Sequence, residues 1–543
     1  MKILIIIIRY NPNNNRADYT YLMPVGLAYI SSVLKNKGYE VKYLNLNHCD
    51  GTIDDLIRKT LLKEKYDFIL TGGLSVHYSA IKTCVDSVRK YAPHAQIVLG
   101  GGIISSQPEL MFKALKPDYS VIGEGEMTIT ELLKCLENDA DLKEIDGLGY
   151  RGSEGKLVLT KAREAIKDID SIPWPDYEGL GLDAYLDHMR PSHSYYYDLF
   201  DSPRAYPLIS SRSCPFSCTF CFHPIGNKYR QRTVTNIMEE LNFAIKRYRV
   251  NIIDIYDELF SNDKNRVLEF CKQIKELFKK VPWEVKWNCQ MRVDKLDEEI
   301  VVTMKDAGCY IFSLGLESYS HTVLKSMKKH ITPQQIDRAL QIARRLDLTI
   351  QGNFIFGDVA ETTETAYETL NYWKKNFYGG GIRLAFIEPY PGTALYEHCL
   401  NKGLIKDEID FIENRMTKPI NMSNTMTDKE FSKLEIDMYE AQMKYRKYVE
   451  PFSVIKSNDM NEIHVKCPYC NKISIYKNYV IESKYYYERN VYKKDVCCRN
   501  CRKRFCIISL FSKIEIIMFK LIGAKNTYFV RNLLRKIRNY VSK

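Results

Sequence analysis

The chain has 543 residues, of which 45% are hydrophobic and 27% charged, with a formal net charge of +12. That length exceeds what one hydrophobic core holds and predicts about three domains, and the composition is that of a folded globular protein rather than a disordered one. No run of about 18 apolar residues occurs, which excludes a membrane-spanning helix. The run Ile3–Ile8 after Met1-Lys2 is too short for a secretory leader and has no cleavage site. A reducing, cytoplasmic setting is therefore expected, in which the 16 cysteines point to metals and packing rather than bridges. Cys84, Cys135 and Cys271 fall in helical segments and read as packing residues. The positive charge is local: after Cys506, eight Lys/Arg face the single acid Glu515, leaving about +5 for the rest and no expectation of specific nucleic-acid binding.

Residues 1–140 alternate strand-length apolar runs with helical periodicity. Strands are predicted at Ile3–Ile8, Glu40–Leu46, Tyr66–Leu70, Gln96–Leu99 and Tyr119–Ile122. Helices are predicted at Gly26–Lys37, Ile53–Lys63, Ser79–Tyr91, Ser106–Leu115 and Met127–Glu137. Five such units predict an α/β fold with a doubly wound, flavodoxin-like parallel sheet. Glycines follow the strands at Gly72-Gly73, Gly100-Gly101-Gly102 and Gly123-Glu124-Gly125-Glu126, where such sheets bind ligands and where glycine lets a large one approach the backbone. Glycine alone leaves a nucleotide, a flavin and a corrin open, and it also serves tight turns. A linker over 141–200 carries a hairpin, 147–151 and 156–159 around 152–155, and a boundary at Ile172-Pro173-Trp174-Pro175-Asp176.

Residues 201–400 repeat the pattern six times, with strands predicted at Ala205–Ser211, Asn251–Tyr256, Trp283–Gln290, Tyr310–Leu314, Thr349–Phe356 and Ile382–Glu388. Six parallel units predict a partial (β/α)6 TIM-type barrel, with its site at the carboxyl ends of the strands. The loop after the first strand holds Cys214, Cys218 and Cys221. Three thiolates this close can hold three irons of a [4Fe-4S] cluster and leave the fourth open to substrate. Zinc asks for four ligands, and only His223 lies near.

The spacing Cys-x3-Cys-x2-Cys, with Phe220 before the last cysteine, resembles the radical S-adenosylmethionine (SAM) superfamily. Pro24-Val25-Gly26-Leu27-Ala28-Tyr29-Ile30, Gly100-Gly101-Gly102 and Val121-Ile122-Gly123-Glu124-Gly125-Glu126 look like the cobalamin-binding domain that precedes the cluster domain in one large subfamily. The resemblance to cobalamin-dependent radical SAM enzymes runs from residue 1 to about residue 400. It implies three cofactors: a cluster on Cys214, Cys218 and Cys221, SAM, and cobalamin. It places cobalamin near Gly26, Ser75, Val76, His77, Gly101, Gly102, Glu124 and Gly125, although a lone loop histidine such as His77 more often serves structure.

The resemblance also gives the strand ends a task around SAM. Phe220 precedes the last cluster cysteine. Asp257 and Glu258 follow the second strand, suited to the SAM ammonium, and Arg292 follows the third, suited to a carboxylate. Glu317 ends the fourth, Asn353 lies on the fifth, and Tyr390 follows the sixth. Any one carboxylate there more often caps a helix. Three places depart from the subfamily. No cobalt-ligating Asp-x-His-x-x-Gly is present, since Leu46 precedes His48; Val359-Ala360-Glu361-Thr362 replaces a Pro-Gly-Glu-Thr turn; and Tyr319 replaces a small residue in Glu317-Ser318-Tyr319-Ser320.

The implied activity is methyl transfer to an unactivated carbon by way of a 5′-deoxyadenosyl radical. Two alternatives are a radical cyclisation or rearrangement without methyl transfer, and, in another class, a cobalamin- or metal-responsive binding protein. The cysteine trio with acidic strand ends argues against the last. The substrate, whether a small molecule, lipid, sugar or peptide, is not written in the sequence, and a reductant such as flavodoxin or ferredoxin is implied.

A helical extension over 401–450 leads to residues 451–506, where Cys467-Pro468-Tyr469-Cys470 pairs with Cys498-Arg499-Asn500-Cys501 around strand-like Ile473–Val480 and Tyr485–Tyr492. Two Cys-x2-Cys knuckles predict a small zinc-ribbon-like module with Cys467, Cys470, Cys498 and Cys501 as ligands, a second iron–sulfur cluster being the alternative. Cys497 and Cys506 lie beside them. In the tail, 507–543, Ile514, Ile517, Met518 and Leu521, then Phe529, Leu533, Ile537 and Tyr540, recur at helical spacing among Lys520, Lys525, Arg531, Arg535, Lys536 and Arg538. Such a segment suits packing against the protein or peripheral contact with the inner surface of an anionic membrane.

Overall fold

The computed structural model describes residues 1–152, 155–377, 379, 381–457, 460–479, 493–508 and 510–541. The chain forms two compact units. The first comprises Met1–His188, Ser211–Glu240 and Glu388–Lys418, and the second Met189–Ser210, Leu241–Ile387 and Pro419–Lys543.

The first unit is built on a seven-stranded sheet. Its parallel part runs Glu40–Asn45, Lys2–Ile7, Phe68–Gly72, Gln96–Gly100, Tyr119–Val121 in space, the 2-1-3-4-5 order of a flavodoxin-like fold. Lys2–Ile7 and Phe68–Gly72 are buried on both faces, as continuous apolar runs in covered parallel strands must be. Helix Ile53–Lys63 carries the cap its sequence offers: Thr52 accepts from the Asp55 amide at its start, with Asp54 and Asp55 in the first turn. Instead of one helix over Ser106–Leu115, two appear, Gly102–Ser106 and Pro108–Leu115. Gln107 between them takes the extended φ of −146° that a following proline favours. The expected linker hairpin belongs to this sheet, because Leu148–Arg151 pairs antiparallel with Tyr119–Val121, and Leu157–Leu159 with Leu148–Arg151.

The second unit holds six parallel strands in chain order: Ala205–Leu208, Ile252–Ile255, Lys286–Arg292, Cys309–Glu317, Ile350–Phe356 and Ile382–Phe386. Amphipathic helices follow them; Pro333–Arg345 is a clear case, with Pro333 in the first turn and a Thr332–Gln335 capping box. Helix Asp428–Tyr445 packs beside the sixth strand, where Phe386 meets Phe431 at 4.7 Å.

The cysteine-rich module is two small sheets around one core. Ser453–Ser457, Met460–Lys466 and Ile473–Tyr479 form one, and Tyr448–Val449, Arg504–Ile508 and Lys493–Cys497 the other. The strand expected at Tyr485–Tyr492 lies outside the described residues. The tail is helical over Leu510–Val541, interrupted at Gly523, whose φ is +76°.

Candidate active site and metal module

The cysteine loop belongs to the first unit. Ser211–Arg212 pairs antiparallel with Arg230–Gln231, so the loop leaves and returns at one place. Cys218 is buried, Cys214 half-buried and Cys221 exposed, and none of the three is in a disulfide. The Cys221 amide donates to the Cys218 carbonyl at 3.1 Å, and the Leu395 amide to that of Thr219 at 3.2 Å. Phe220 is half-buried. Phe222 stacks on Tyr390 at 6.5 Å, and the Tyr390 hydroxyl accepts from the Val76 amide at 3.4 Å. Three thiols on one short loop, none in a disulfide and one of them exposed, are the donor set an open-iron cluster asks for.

The same unit holds the loops at the point where strand order reverses, after Lys2–Ile7 and Phe68–Gly72. His77 stands there, its Nδ1 accepting from the Leu74 amide at 3.2 Å and its ring edge-on to Tyr10 at 5.5 Å. Its Nε2 is buried without a partner among the described residues, and burial lowers its pKa. Ser75 is buried and Val76 exposed. At Gly26, exposed on the first turn of Val25–Asn36, a Cβ would meet nothing within 4 Å. An orphaned imidazole nitrogen and an open glycine at a switch point fit a large ligand such as a corrin.

The other glycines have a different physical reason. A Cβ on Gly101 would lie 2.9 Å from the Gly73 carbonyl oxygen, and one on Gly102 would lie 2.7 Å from Leu74 Cδ2 and 3.3 Å from Phe222. They are required where two loops press together. Gly125 likewise packs its helix against Ile30 and Val121, each within 3.1 Å of a Cβ placed there.

Glu124 is the centre of a buried ion cluster absent from the sequence reading. Its carboxylate accepts from Arg212 at 2.8 Å, from Arg230 at 2.7 Å and from the Ile166 amide at 2.7 Å. Arg212 also pairs with Glu126 at 2.6 Å, and Arg230 reaches Ser213 at 3.3 Å. Burial works against the Glu124 charge, Arg230 and Arg212 outweigh it, and its pKa falls. Both arginines sit at the base of the cysteine loop, so the glycine-rich Gly123–Glu126 turn grips that base. His48 is likewise a packing group, stacked on Tyr19 at 4.6 Å and bonded to the Tyr21 hydroxyl at 2.9 Å. Burial first, then His188, lowers its pKa to about 4.

In the second unit most of the polar groups at the strand ends hold one another. Asp257 is buried and accepts from the Ser210 amide at 2.6 Å and the Ser210 hydroxyl at 2.5 Å, while Arg266 donates to the Ser210 carbonyl at 2.7 Å. Arg292 bonds Asp294 at 2.9 Å and the carbonyl of Lys329 at 2.8 Å. Glu317, in the left-handed region at φ +60°, pairs with Lys329 at 2.6 Å. Arg292, Lys329 and Glu317 thus form one chain of contacts, with Lys329 unforeseen. Glu258 and Asn353 are exposed. At the departure noted after the fifth strand, Glu361 is buried, accepts from the Gly357 amide at 2.6 Å and leaves Oε1 unpartnered. Burial pushes its pKa up to about 8. Tyr319 stacks on Tyr372 at 3.5 Å, both hydroxyls donating to Asp337.

Two family models match the chain, the B12 binding domain over residues 17–133 and the radical SAM superfamily over residues 208–372. The chain is a B12-binding radical SAM superfamily protein. An uncharacterized methyltransferase of Pyrococcus horikoshii is 29% identical over 442 residues, covering 80% of this chain and 90% of that one. The anaerobic magnesium-protoporphyrin IX monomethyl ester cyclase of Rubrivivax gelatinosus is 27% identical over 416 residues, covering 74% and 70%. Among solved structures, the radical SAM methyltransferase TsrM of Kitasatospora setae, with tryptophan and a SAM analogue, superposes with a TM-score of 0.59 at 16% identity, covering 74% and 76%. That likeness speaks for the fold. Membership brings a [4Fe-4S] cluster, SAM and cobalamin as cofactors.

The four cysteines of the C-terminal module lie outside both matched spans. In this radical SAM protein the sulfurs of Cys467, Cys470, Cys498 and Cys501 all lie within 4.8 Å of one another. Cys467 and Cys501 are 3.7 Å apart, and Cys470 and Cys498 3.8 Å. A tetrahedron of Zn–S bonds of about 2.3 Å sets its sulfurs ~3.8 Å apart, so the donor set fits one zinc. Amides of Tyr469, Asn500 and Cys501 point at the sulfurs from 3.4 to 3.5 Å. Cys497 is turned aside, its amide donating to Asp198 at 2.9 Å, and the Cys506 thiol donates to Asp495 at 2.8 Å.

Proposed function

We propose that this radical SAM protein is a cobalamin-dependent methyltransferase acting on an unactivated carbon. The observation that carries the reading is the pairing, within one compact unit, of a loop bearing three closely spaced cysteines with a flavodoxin-like sheet, the base of the loop held to the sheet through Glu124, Arg212 and Arg230. The methyltransferase names among its relatives support it. When bound, the cluster with SAM supplies a carbon radical able to remove hydrogen, and cobalamin carries a methyl group.

The chain's own residues divide the remaining work. Cys214, Cys218 and Cys221 would hold the cluster, with Phe220 beside SAM. Asp257 would fix Ser210 on the segment leading to the cysteines, and Glu258 and Asn353 are exposed to meet SAM. Arg292 and Glu317 would act with Lys329. His77, Ser75, Val76 and Gly26 would face cobalamin, with Gly101, Gly102, Gly125 and Glu124 shaping the loops behind it, and Tyr390 would brace Val76. Cys467, Cys470, Cys498 and Cys501 would hold zinc. We assign 1–140 to cobalamin, 141–200 to the connector, 201–400 to the radical SAM domain, 401–450 to its extension, 451–506 to the metal module and 507–543 to the tail. A small-molecule, lipid, sugar or peptide substrate, a flavodoxin or ferredoxin reductant, a cytoplasmic setting and membrane contact by the tail complete the proposal. Among the described residues no helix is long and apolar enough to cross a membrane.

Anaerobic reconstitution with iron, sulfide, cobalamin and reductant tests the reading, with 5′-deoxyadenosine and S-adenosylhomocysteine as readouts. Both products are expected. Deoxyadenosine alone would favour radical cyclisation, the reading supported by the cyclase relative. Neither product, with an intact cluster, would overturn both.

A further inference from the structure

The C-terminal helix is only half used by the protein. One side packs on helix Asp428–Tyr445: Tyr439 meets Tyr528 at 5.4 Å and Phe519 at 6.4 Å, and donates to Glu515 at 2.9 Å. Arg531 covers the Tyr439 ring at 5.6 Å and pairs with Glu515 at 3.7 Å, and Thr527 is buried. The other side leaves large apolar groups in the open. Leu521 is 77% exposed, Phe529 68%, Ile514 48%, Leu533 47% and Ile517 45%. Positions 514, 517 and 521 share one helical stripe and 529 and 533 another, on either side of Gly523. A helix serving packing alone would place charge along those stripes and keep its apolar residues against the protein.

Beside the first stripe lies a groove of about 720 Å³ between the end of Asp428–Tyr445, strand Tyr448–Val449 and the C-terminal helix. Its charged lining is Lys444, Arg446, Lys447, Lys513 and Lys520 against the single acid Glu450. Lys513 pairs with Glu450 at 3.0 Å, Arg446 with Asp495 at 3.8 Å, and Lys444 with Glu440. Lys447 and Lys520 have no carboxylate in ion-pair reach among the described residues. Its apolar wall is Ile508, Ile516 and Phe519, with Ile517 shared between groove and stripe. Cations in a concavity and hydrocarbon on the adjoining ridge match the two depths of a lipid interface: headgroup phosphates outside, acyl chains just within.

We propose that this groove and ridge form an interfacial site for an anionic lipid bilayer, Lys447 and Lys520 receiving headgroup phosphates while Ile517, Leu521 and Phe529 enter the acyl boundary. The proposal rests on the tail contact named above and is independent of methyl transfer. A soluble polyanion would use the cations and leave the ridge idle, whereas a bilayer uses both.

Flotation of the full chain with vesicles tests it, using phosphatidylcholine alone and phosphatidylcholine with 30 mol% phosphatidylglycerol, in 0.15 M salt. At least tenfold stronger binding to the anionic vesicles is expected. Lys447→Glu with Lys520→Glu, and separately Leu521→Ser with Phe529→Ser, should each reduce it at least tenfold, with circular dichroism and melting temperature confirming the fold. Binding to neither vesicle, equal binding to both, or variants that float like the parent would overturn it. So would a DNA duplex that binds as tightly as the anionic vesicles and is indifferent to the serine pair.

Discussion

The two cysteine sites of this chain are built on opposite plans. In the metal module the four sulfurs already stand within 4.8 Å of each other, with buried Cys467 and Cys498 at the centre of a core of Ile463, Val465, Tyr476, Val496 and Phe505. In the loop Ser213–Tyr229 the thiols range from buried Cys218 to exposed Cys221, and order comes from the base, where Arg212 and Arg230 meet Glu124. A structural metal stabilises the residues that bind it; a catalytic cluster needs a position left open, so its loop must be stabilised from elsewhere. The contrast predicts that the two sites respond differently to damage.

The largest effect separates chemistry from folding. Cys221→Ala should reduce deoxyadenosine formation to background and remove the cluster's absorbance while leaving the melting temperature within about 1 °C, because the thiol is exposed and packs little. A large drop in melting temperature would break the contrast. Next, Glu124→Ala takes from buried Arg230 its carboxylate partner and from Arg212 one of two, and should cost about 3–5 kcal/mol in denaturant unfolding of the first unit, with metal in the C-terminal module unchanged. Cys498→Ala, or zinc removal by a strong chelator, should cost about 2–3 kcal/mol in the second unit and leave cluster assembly intact; metal analysis of Cys221→Ala should still find one zinc per chain.

The smallest effect is one of pH. Asp254 is buried in the second strand of the six, near the Tyr197 hydroxyl, and burial raises its pKa to about 7. Its unfolded value is about 3.9. The stability given by the protonated form is therefore complete below about pH 4 and is lost as pH rises through 7. Asp254→Asn removes that loss, so its melting temperature should gain on the parent as pH rises from about 4 to about 7 and the gain should level off above. Equal curves at all pH values would remove Asp254 from the account.

The sequence made the architecture legible because period and punctuation are local. Alternating apolar runs gave the two parallel sheets, and Cys-x3-Cys-x2-Cys and paired Cys-x2-Cys knuckles marked both sulfur sites. Partnerships across long separations were not legible. Glu124 finds Arg230 from 106 residues away and Arg212 from 88, and nothing local in the Gly123–Glu126 turn distinguishes an acid that grips a loop from one that meets a ligand. Lys329 was not legible either, because it follows no strand, yet it joins Glu317 to Arg292. Gly101 and Gly102 read as room for a ligand, and the close approach of Gly73 and Leu74 to them was not legible.

Asp198 binds the module to the six-stranded unit, accepting from the Cys497 amide at 2.9 Å and from Arg504 at 2.6 Å, 306 residues further along. On a ribosome this carboxylate emerges long before its partners. Its two contacts with the module cannot form before Cys497 and Arg504 have been made. This tie between the module and the six-stranded unit is therefore one that synthesis completes late.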